Sequence, residues 1–195
     1  MSVPDTVAAP PGWTVLTAAA KRERILAAAI AVFAERGLEA PMHDVAATAG
    51  AGVASIYRIF PSKHDLWAAI VVRRMEEITV ACAEARAAPG DRWSALLGFI
   101  ETRVRHQSPE PFTIEARAVV EHRPEVAEAI ARATDAQERL LHDARAEGRL
   151  RADASVEDMR LLFVATRAAR RMSPDTVERM LELMLDALRA QRGSH

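Results

Sequence analysis

Residues Met42–Lys63 read MHDVAATAGAGVASIYRIFPSK, and this stretch governs the reading of everything around it. Met42–Ala49 has the spacing of a short helix, Gly50-Ala51-Gly52 interrupts it, and Val53–Phe60 resumes helical spacing until Pro61 breaks it. Gly50 suits the turn because glycine enters conformations that other residues reach only at a cost. Val45, Ala46, Ala49 and Ile56 are the small and apolar residues expected to hold the two helices crossed. Two short helices joined in this way make a helix-turn-helix, whose second helix is shaped to lie in a DNA major groove.

Upstream, Ile25, Leu26, Ala29, Ile30 and Phe33 recur at helical spacing, which predicts a helix from Thr17 or Ala18 to Arg36, stopped by Gly37. Downstream, Ser62-Lys63-His64-Asp65 has the form of a capping box, with Asp65 in place of the more usual Glu or Gln. It opens a long helix to Ala88 whose apolar stripe includes Leu66, Ile70, Val71, Ile78 and Cys82. Further helices are predicted over 92–107, 112–122, 124–147, 156–171 and 174–192. Their boundaries are marked by Pro89-Gly90, Pro109, Pro111, Pro124, Gly148, Ser155 and Ser173-Pro174.

Alanine is abundant, and runs of β-branched residues at period two are absent, so the chain reads as all-α. Half of the 195 residues are hydrophobic and 27% are charged, which excludes wholesale disorder. The 26 basic and 27 acidic side chains exclude a generally basic nucleic-acid coat but leave room for a local basic surface. One cysteine, Cys82, excludes a disulfide framework and any cysteine-based zinc finger, and its apolar helix face predicts a buried, inert thiol. The longest apolar run, Ile25–Ala34, is about half of the ~20 residues that span a bilayer. With no basic region in the first twenty residues, a cytoplasmic protein without a membrane partner is expected.

The motifs that flank the helix-turn-helix make it specific. Arg24-Ile-Leu-x-Ala-Ala, Phe33-Ala-Glu-Arg-Gly37, Asp44-Val-Ala, Ala49-Gly50, Ile56-Tyr57 with Phe60, and Ser62-Lys63 with Asp65-Leu66 follow one another at tight spacing. Over residues 20–70 the chain resembles the N-terminal domain of the TetR family of transcriptional regulators. Three prolines and no amphipathic period predict a disordered arm over 1–17. The resemblance implies a helix-turn-helix DNA-binding domain over 18–64 and a larger helical ligand-binding and dimerisation domain over 65–195. It implies that Val53, Ala54, Ser55 and Arg58 face base edges, that Tyr57 and Lys63 contact phosphates, and that His43 stands where a further DNA contact sometimes lies.

Side-chain chemistry agrees. Arginine can read guanine by a two-point contact, serine can meet several bases, and Val53 or Ala54 can pack on a thymine methyl. Lys63 sits at a helix N-terminus, where its charge gains nothing from the helix dipole, so an external phosphate is a reason for it. Lys21 is a second phosphate candidate, and the chain has no other lysine. Two departures stand out: Pro41 and Gly52 replace the polar residues that usually cap the second and third helices. Residues 1–64 carry six basic and five acidic groups, so modest non-specific DNA affinity is expected.

In the C-terminal domain, Trp67, Trp93, Phe99, Phe112 and Phe163 are bulky enough to wall a ligand cavity, as the resemblance implies, or simply to fill a core. Arg103, His106, Glu115 and Arg167 are polar groups able to orient a small-molecule effector. The last helix has apolar residues around most of its circumference. Val177, Leu181, Met184 and Leu188 are therefore expected at a homodimer interface, where the helices over 156–171 and 174–192 form a four-helix bundle with a second copy. No Glu-x-x-His pair, glycine-rich phosphate loop or H-E-x-x-H occurs, so no cofactor, metal or catalytic residue is expected. The expected protein is a dimeric, ligand-released repressor on a near-palindromic double-stranded DNA operator. Open alternatives are a regulator without a small-molecule ligand and, more distantly, a helical-bundle enzyme.

Overall fold

The computed structural model describes residues 12–106, 111–170 and 173–190. They form α1 (Ala18–Arg36), α2 (Met42–Ala49), α3 (Val53–Ile59), α4 (Lys63–Ala87), α5 (Arg92–His106), α6 (Pro111–Val120), α7 (Pro124–Ala146), α8 (Val156–Arg170) and α9 (Pro174–Leu188). The ends lie where the local chemistry places them. Ser62 and Asp65 exchange the two hydrogen bonds of a capping box: the Ser62 amide donates to Asp65 Oδ2 at 2.9 Å and the Asp65 amide to Ser62 Oγ at 3.1 Å. Ser155 and Asp158 repeat the arrangement before α8, and Ser173 Oγ accepts from the Thr176 amide before α9.

One end departs from expectation. The apolar pattern predicts α9 to residue 192, yet it stops at Leu188. There the backbone turns extended and pairs with the segment after α7: the Arg151 amide donates to the Leu188 carbonyl at 3.0 Å and the Ala190 amide to the Arg149 carbonyl at 2.8 Å. This exchange supplies the hydrogen bonds that another helical turn would have made. Residues 1–11 of the expected arm lie outside the described residues, whereas Trp13–Val15 form a short 3-10 turn ahead of the Thr17 cap of α1.

The chain divides into two compact units, and the division differs from the expected one at residue 64. The first unit runs to Ile70 and includes α6; the second takes Val71–Pro109 and everything after α6. The first is built on α1 packed against α2, with α3 on α2 and α6 on α1. Its core holds Ile25, Phe33, Val45, Ile56, Phe60, Leu66 and Phe112, each at most 2% exposed. The Phe33 ring lies 5.8 Å from that of Phe112 and 6.5 Å from that of Trp67, and these contacts draw α6 and the first turns of α4 into this unit.

In the second unit α5 packs against α7, α8 and α9 around Trp93, Leu96, Ile100, Leu140, Leu141 and Met159. The start of α5 is capped from a distance: the Glu147 carboxylate accepts from the Arg92 amide at 2.7 Å and from the Trp93 amide at 3.1 Å. A carboxylate there satisfies orphan amides and complements the helix dipole. Cys82 is buried in this core, and burial pushes its thiol up to about 11 against the opposing pull of the Arg103 charge. Such a thiol stays neutral and unreactive near neutral pH.

Candidate nucleic-acid interface

The turn between α2 and α3 rests on Gly50. Its backbone is left-handed (φ 65°, ψ 38°), its amide donates to the Ala47 carbonyl at 3.1 Å, and the Ala51 amide reaches the Ala46 carbonyl at 2.9 Å. A Cβ on Gly50 would meet Arg24 Nη2 at 3.1 Å, so the turn is pressed against α1. Val45, Ala46, Ala49 and Ile56 are all buried, and they set the crossing of α2 and α3 as expected. Neither Pro41 nor Gly52 gives its helix a side-chain cap.

With Ile56 and Phe60 turned inward, α3 presents the rest of its surface outward. Val53, Ala54, Tyr57 and Arg58 are exposed, and Ser55 is half-buried. Arg58 folds back along its own helix, donating from Nε to the Ala54 carbonyl and from Nη2 to Ser55 Oγ, each at 3.3 Å. Two of the expected base-reading side chains, Ser55 and Arg58, are thereby held together on one edge. Arg58 can give up these weak contacts for a guanine without leaving a buried group unpaired.

Both lysines lie over tryptophans. Lys63 Nζ is 5.4 Å from the Trp67 ring and 5.9 Å from that of Phe33, and Lys21 Nζ is 5.8 Å from the ring of Trp13. The aromatic faces fix the ammonium groups electrostatically while leaving their protons for a phosphate. His43 is exposed, with Nε2 2.8 Å from Asp44 Oδ1, and Asp44 also accepts from Arg36 at 2.7 Å. Arg24, against the turn, and Arg22, 4.7 Å from the Phe60 ring, are two further cations of this unit that the sequence does not single out. Arg24 lies inside the Arg24-Ile-Leu-x-Ala-Ala motif, but only folding shows what it packs on.

Comparison with known proteins decides the family. Residues 25–70 match the model described as bacterial regulatory proteins, tetR family, and residues 88–190, just over half of the chain, match that of the SbtR-like transcriptional regulator C-terminal domain. The chain belongs to the TetR family. It is therefore a DNA-binding transcriptional regulator, and the family is not one of enzymes. No curated protein matches it. Among solved structures it is similar to a TetR regulator from Mycobacterium vanbaalenii, with 29% identity over 87% of this chain and 95% of that one and a TM-score of 0.63. It is also similar to SCO0520 from Streptomyces coelicolor, with 26% identity over 87% and 99% and a TM-score of 0.63. The Mycobacterium smegmatis regulator LfrR, solved in complex with proflavine, shares the fold at 22% identity over 86% and 93%, with a TM-score of 0.67.

As a TetR-family chain it was expected to gather effector-binding residues in its C-terminal domain, and the structure disperses them. Trp67 and Phe112 belong to the first unit, buried beside Phe33, and Glu115 is exposed on α6 of the same unit. Trp93 is sealed at 1% exposure in the core of the second unit. Phe99 packs edge-on against half-buried Phe163 at 6.4 Å and also borders a recess of about 310 Å³ between α4 and α5. Arg103 borders the same recess, while the side chains of His106 and Arg167 lie outside the described residues.

The expected interface residues are also placed otherwise. Val177, Leu181, Met184 and Leu188 are 6%, 4%, 3% and 3% exposed, turned into the unit's own core, where Met184 Sδ meets Thr166 Oγ1 at 3.3 Å. Their spacing of four, three and four residues makes one stripe, and that is the stripe α9 turns inward. The side left open carries Leu183, 51% exposed, and α8 exposes Leu161 at 56% and Val164 at 45%.

Proposed function

We propose that this TetR-family regulator is a homodimeric repressor that binds a near-palindromic double-stranded DNA operator and releases it when a small molecule occupies the C-terminal unit, acting in the cytoplasm. The observation that carries this reading is the outer side of α3, exposed Val53, Ala54 and Arg58 with half-buried Ser55, on a helix anchored by Ile56 and Phe60. Together they offer the methyl, hydroxyl and guanidinium chemistry that reads base edges. Lys21, His43, Tyr57 and Lys63 serve the phosphates on either side, with Lys21 and Lys63 steadied by their tryptophans.

Two recognition helices on one face of DNA need a separation of about 34–36 Å, which a two-fold dimer supplies. Exposed Leu161, Val164 and Leu183 on the packed pair α8 and α9 support an interface there, because large apolar side chains gathered on two adjoining helices make a patch that a second copy can cover. Release needs little energy: about 2.8 kcal/mol of coupling lowers operator affinity a hundredfold. That LfrR, of the same fold, was solved with proflavine supports a small-molecule effector.

The test is fluorescence anisotropy with a labelled duplex from the promoter beside the protein's own gene, titrated at several salt concentrations against a scrambled duplex. Selective binding of one dimer per site, weakening moderately with salt, is the expected result. Equal, weak binding to both duplexes, and to others tiled along the flanking DNA, overturns the reading.

A further inference from the structure

The recess between α4 and α5 is lined on one side by Ala81 and Ala85 and on the other by Gly98, Phe99, Thr102 and Arg103. Gly98 lies in the interior of α5, where glycine is the poorest helix former after proline. Its backbone φ is not in the region that needs glycine, and a Cβ there would meet nothing within 4 Å. Neither backbone geometry nor the chain's own packing calls for glycine at this exposed position. A molecule lying against α5 would account for it, because glycine leaves the helix backbone open to touch.

Along α5 the lining changes character within one turn. Gly98 and Phe99 form an apolar floor, and Thr102 and Arg103, four residues on and so on the same faces, add a hydroxyl and a guanidinium. Arg103 is half-buried, whereas Glu84, the acidic group of the lining, is exposed. Of the two charges on the lining the half-buried Arg103 is the less screened by water, which favours an anionic over a cationic group beside it. The volume of about 310 Å³ is at the small end of ligand sites.

We infer that this recess binds a small amphipathic carboxylic acid, its apolar body against Ala81, Ala85, Gly98 and Phe99 and its carboxylate toward Arg103 and Thr102. Guanidinium and carboxylate match in shape and charge, and the neighbouring hydroxyl can donate to the same group. As the effector site of the regulator, the recess rests on the ligand-controlled reading above. As a binding site it does not.

The experiment is isothermal titration calorimetry of the full chain with 2-naphthoate and octanoate, their neutral amides, and 2-naphthylmethylammonium. At least one carboxylate is expected to bind with a Kd below about 1 mM, and its amide roughly tenfold more weakly. Arg103→Gln should abolish that preference. Gly98→Leu should fill the recess and remove binding of every probe while far-UV circular dichroism and operator binding persist, since leucine favours the helix. Failure of both carboxylates to bind, equal binding of the amides, preference for the ammonium, or unchanged binding by Gly98→Leu overturns the inference. Operator anisotropy separates the two readings. A carboxylate that binds without loosening DNA leaves the site standing and removes ligand control through it; release by another molecule in Gly98→Leu keeps ligand control and removes the recess as the effector site.

Discussion

The rings of Phe33 and Phe112 stand 5.8 Å apart, joining the first helix of the DNA-binding unit to a helix that the chain reaches only after the whole of α5. Both residues are at most 2% exposed, so the pair is part of the core that holds α1 in place. Phe112→Ala should cost about 3 kcal/mol of stability, the usual result of emptying an aromatic site that cannot collapse. A double-mutant cycle with Phe33→Leu, followed by urea unfolding, should return a coupling of roughly 0.5–1.5 kcal/mol. Additive effects would mean that the two rings are neighbours without being partners.

Gly50 meets two demands at once: a left-handed backbone and the nearness of Arg24. Gly50→Ala should cost about 1 kcal/mol from the backbone alone, and more where the Arg24 guanidinium cannot move aside. Operator affinity should fall with it, because α3 is aimed by this turn. Thermal unfolding and anisotropy on the same preparation check both, and an unchanged Tm would show that the turn relaxes freely.

Lys63 and Arg58 should fail in different ways on DNA. Lys63→Ala and Tyr57→Phe should weaken binding to all sequences alike, and Lys63→Ala should reduce the salt slope by about one. Arg58→Ala should relax preference at one position of each half-site, at a cost of about 1–3 kcal/mol for the lost base contact. A panel of operator variants measured at several salt concentrations separates the two. A lysine variant that alters base preference alone would refute its placement on phosphate.

The inward and outward stripes of α9 make opposite predictions. Leu183→Glu should yield a folded monomer with much weaker operator binding, since Leu183 is 51% exposed. Leu181→Glu should unfold the unit, because it places a charge where the side chain is 4% exposed. Sedimentation velocity with circular dichroism distinguishes the outcomes. A Leu183→Glu dimer would move the interface elsewhere.

Asp91 holds the start of α5, and the Ser94 backbone amide, then the Ser94 hydroxyl, lower its carboxyl below the ordinary carboxylate value. A lowered folded-state value means that the contribution to stability is complete above the unfolded carboxylate range. It is lost as pH falls through the depressed value. Asp91→Asn should therefore narrow the stability gap between neutral and acid pH. Urea midpoints from pH 7 down to about pH 3 measure it, and parallel profiles for the two proteins would show that Asp91 titrates alike in both states.

Much of this protein was legible before folding because the signals act within a few residues. Ser62 with Asp65, Pro124, Ser173-Pro174 and Gly50 mark helix ends through contacts three or four positions away, so most predicted boundaries agree with the structure. Helical period also places Ala54 and Arg58 opposite Ile56 and Phe60, whereas Val53, which shares the side of Ile56 by spacing, is exposed at the first position of α3. Composition had already excluded a disulfide scaffold and a generally basic coat.

The tertiary structure alone decided where α6 belongs, which stripe of α9 is covered, and where the second unit leaves space. Trp67 and Phe112 look the same in sequence whether they wall a cavity or lock α1, because an aromatic ring is suited to both. Val177, Leu181, Met184 and Leu188 form a stripe that periodicity can find, but periodicity does not say whether the cover comes from the same chain or another copy. The end of α9 was set by hydrogen bonds to Arg149 and Arg151, far back in the chain. Local rules fix which residues are helical; which faces meet depends on the packing of distant segments, and a list of neighbours in sequence does not contain it.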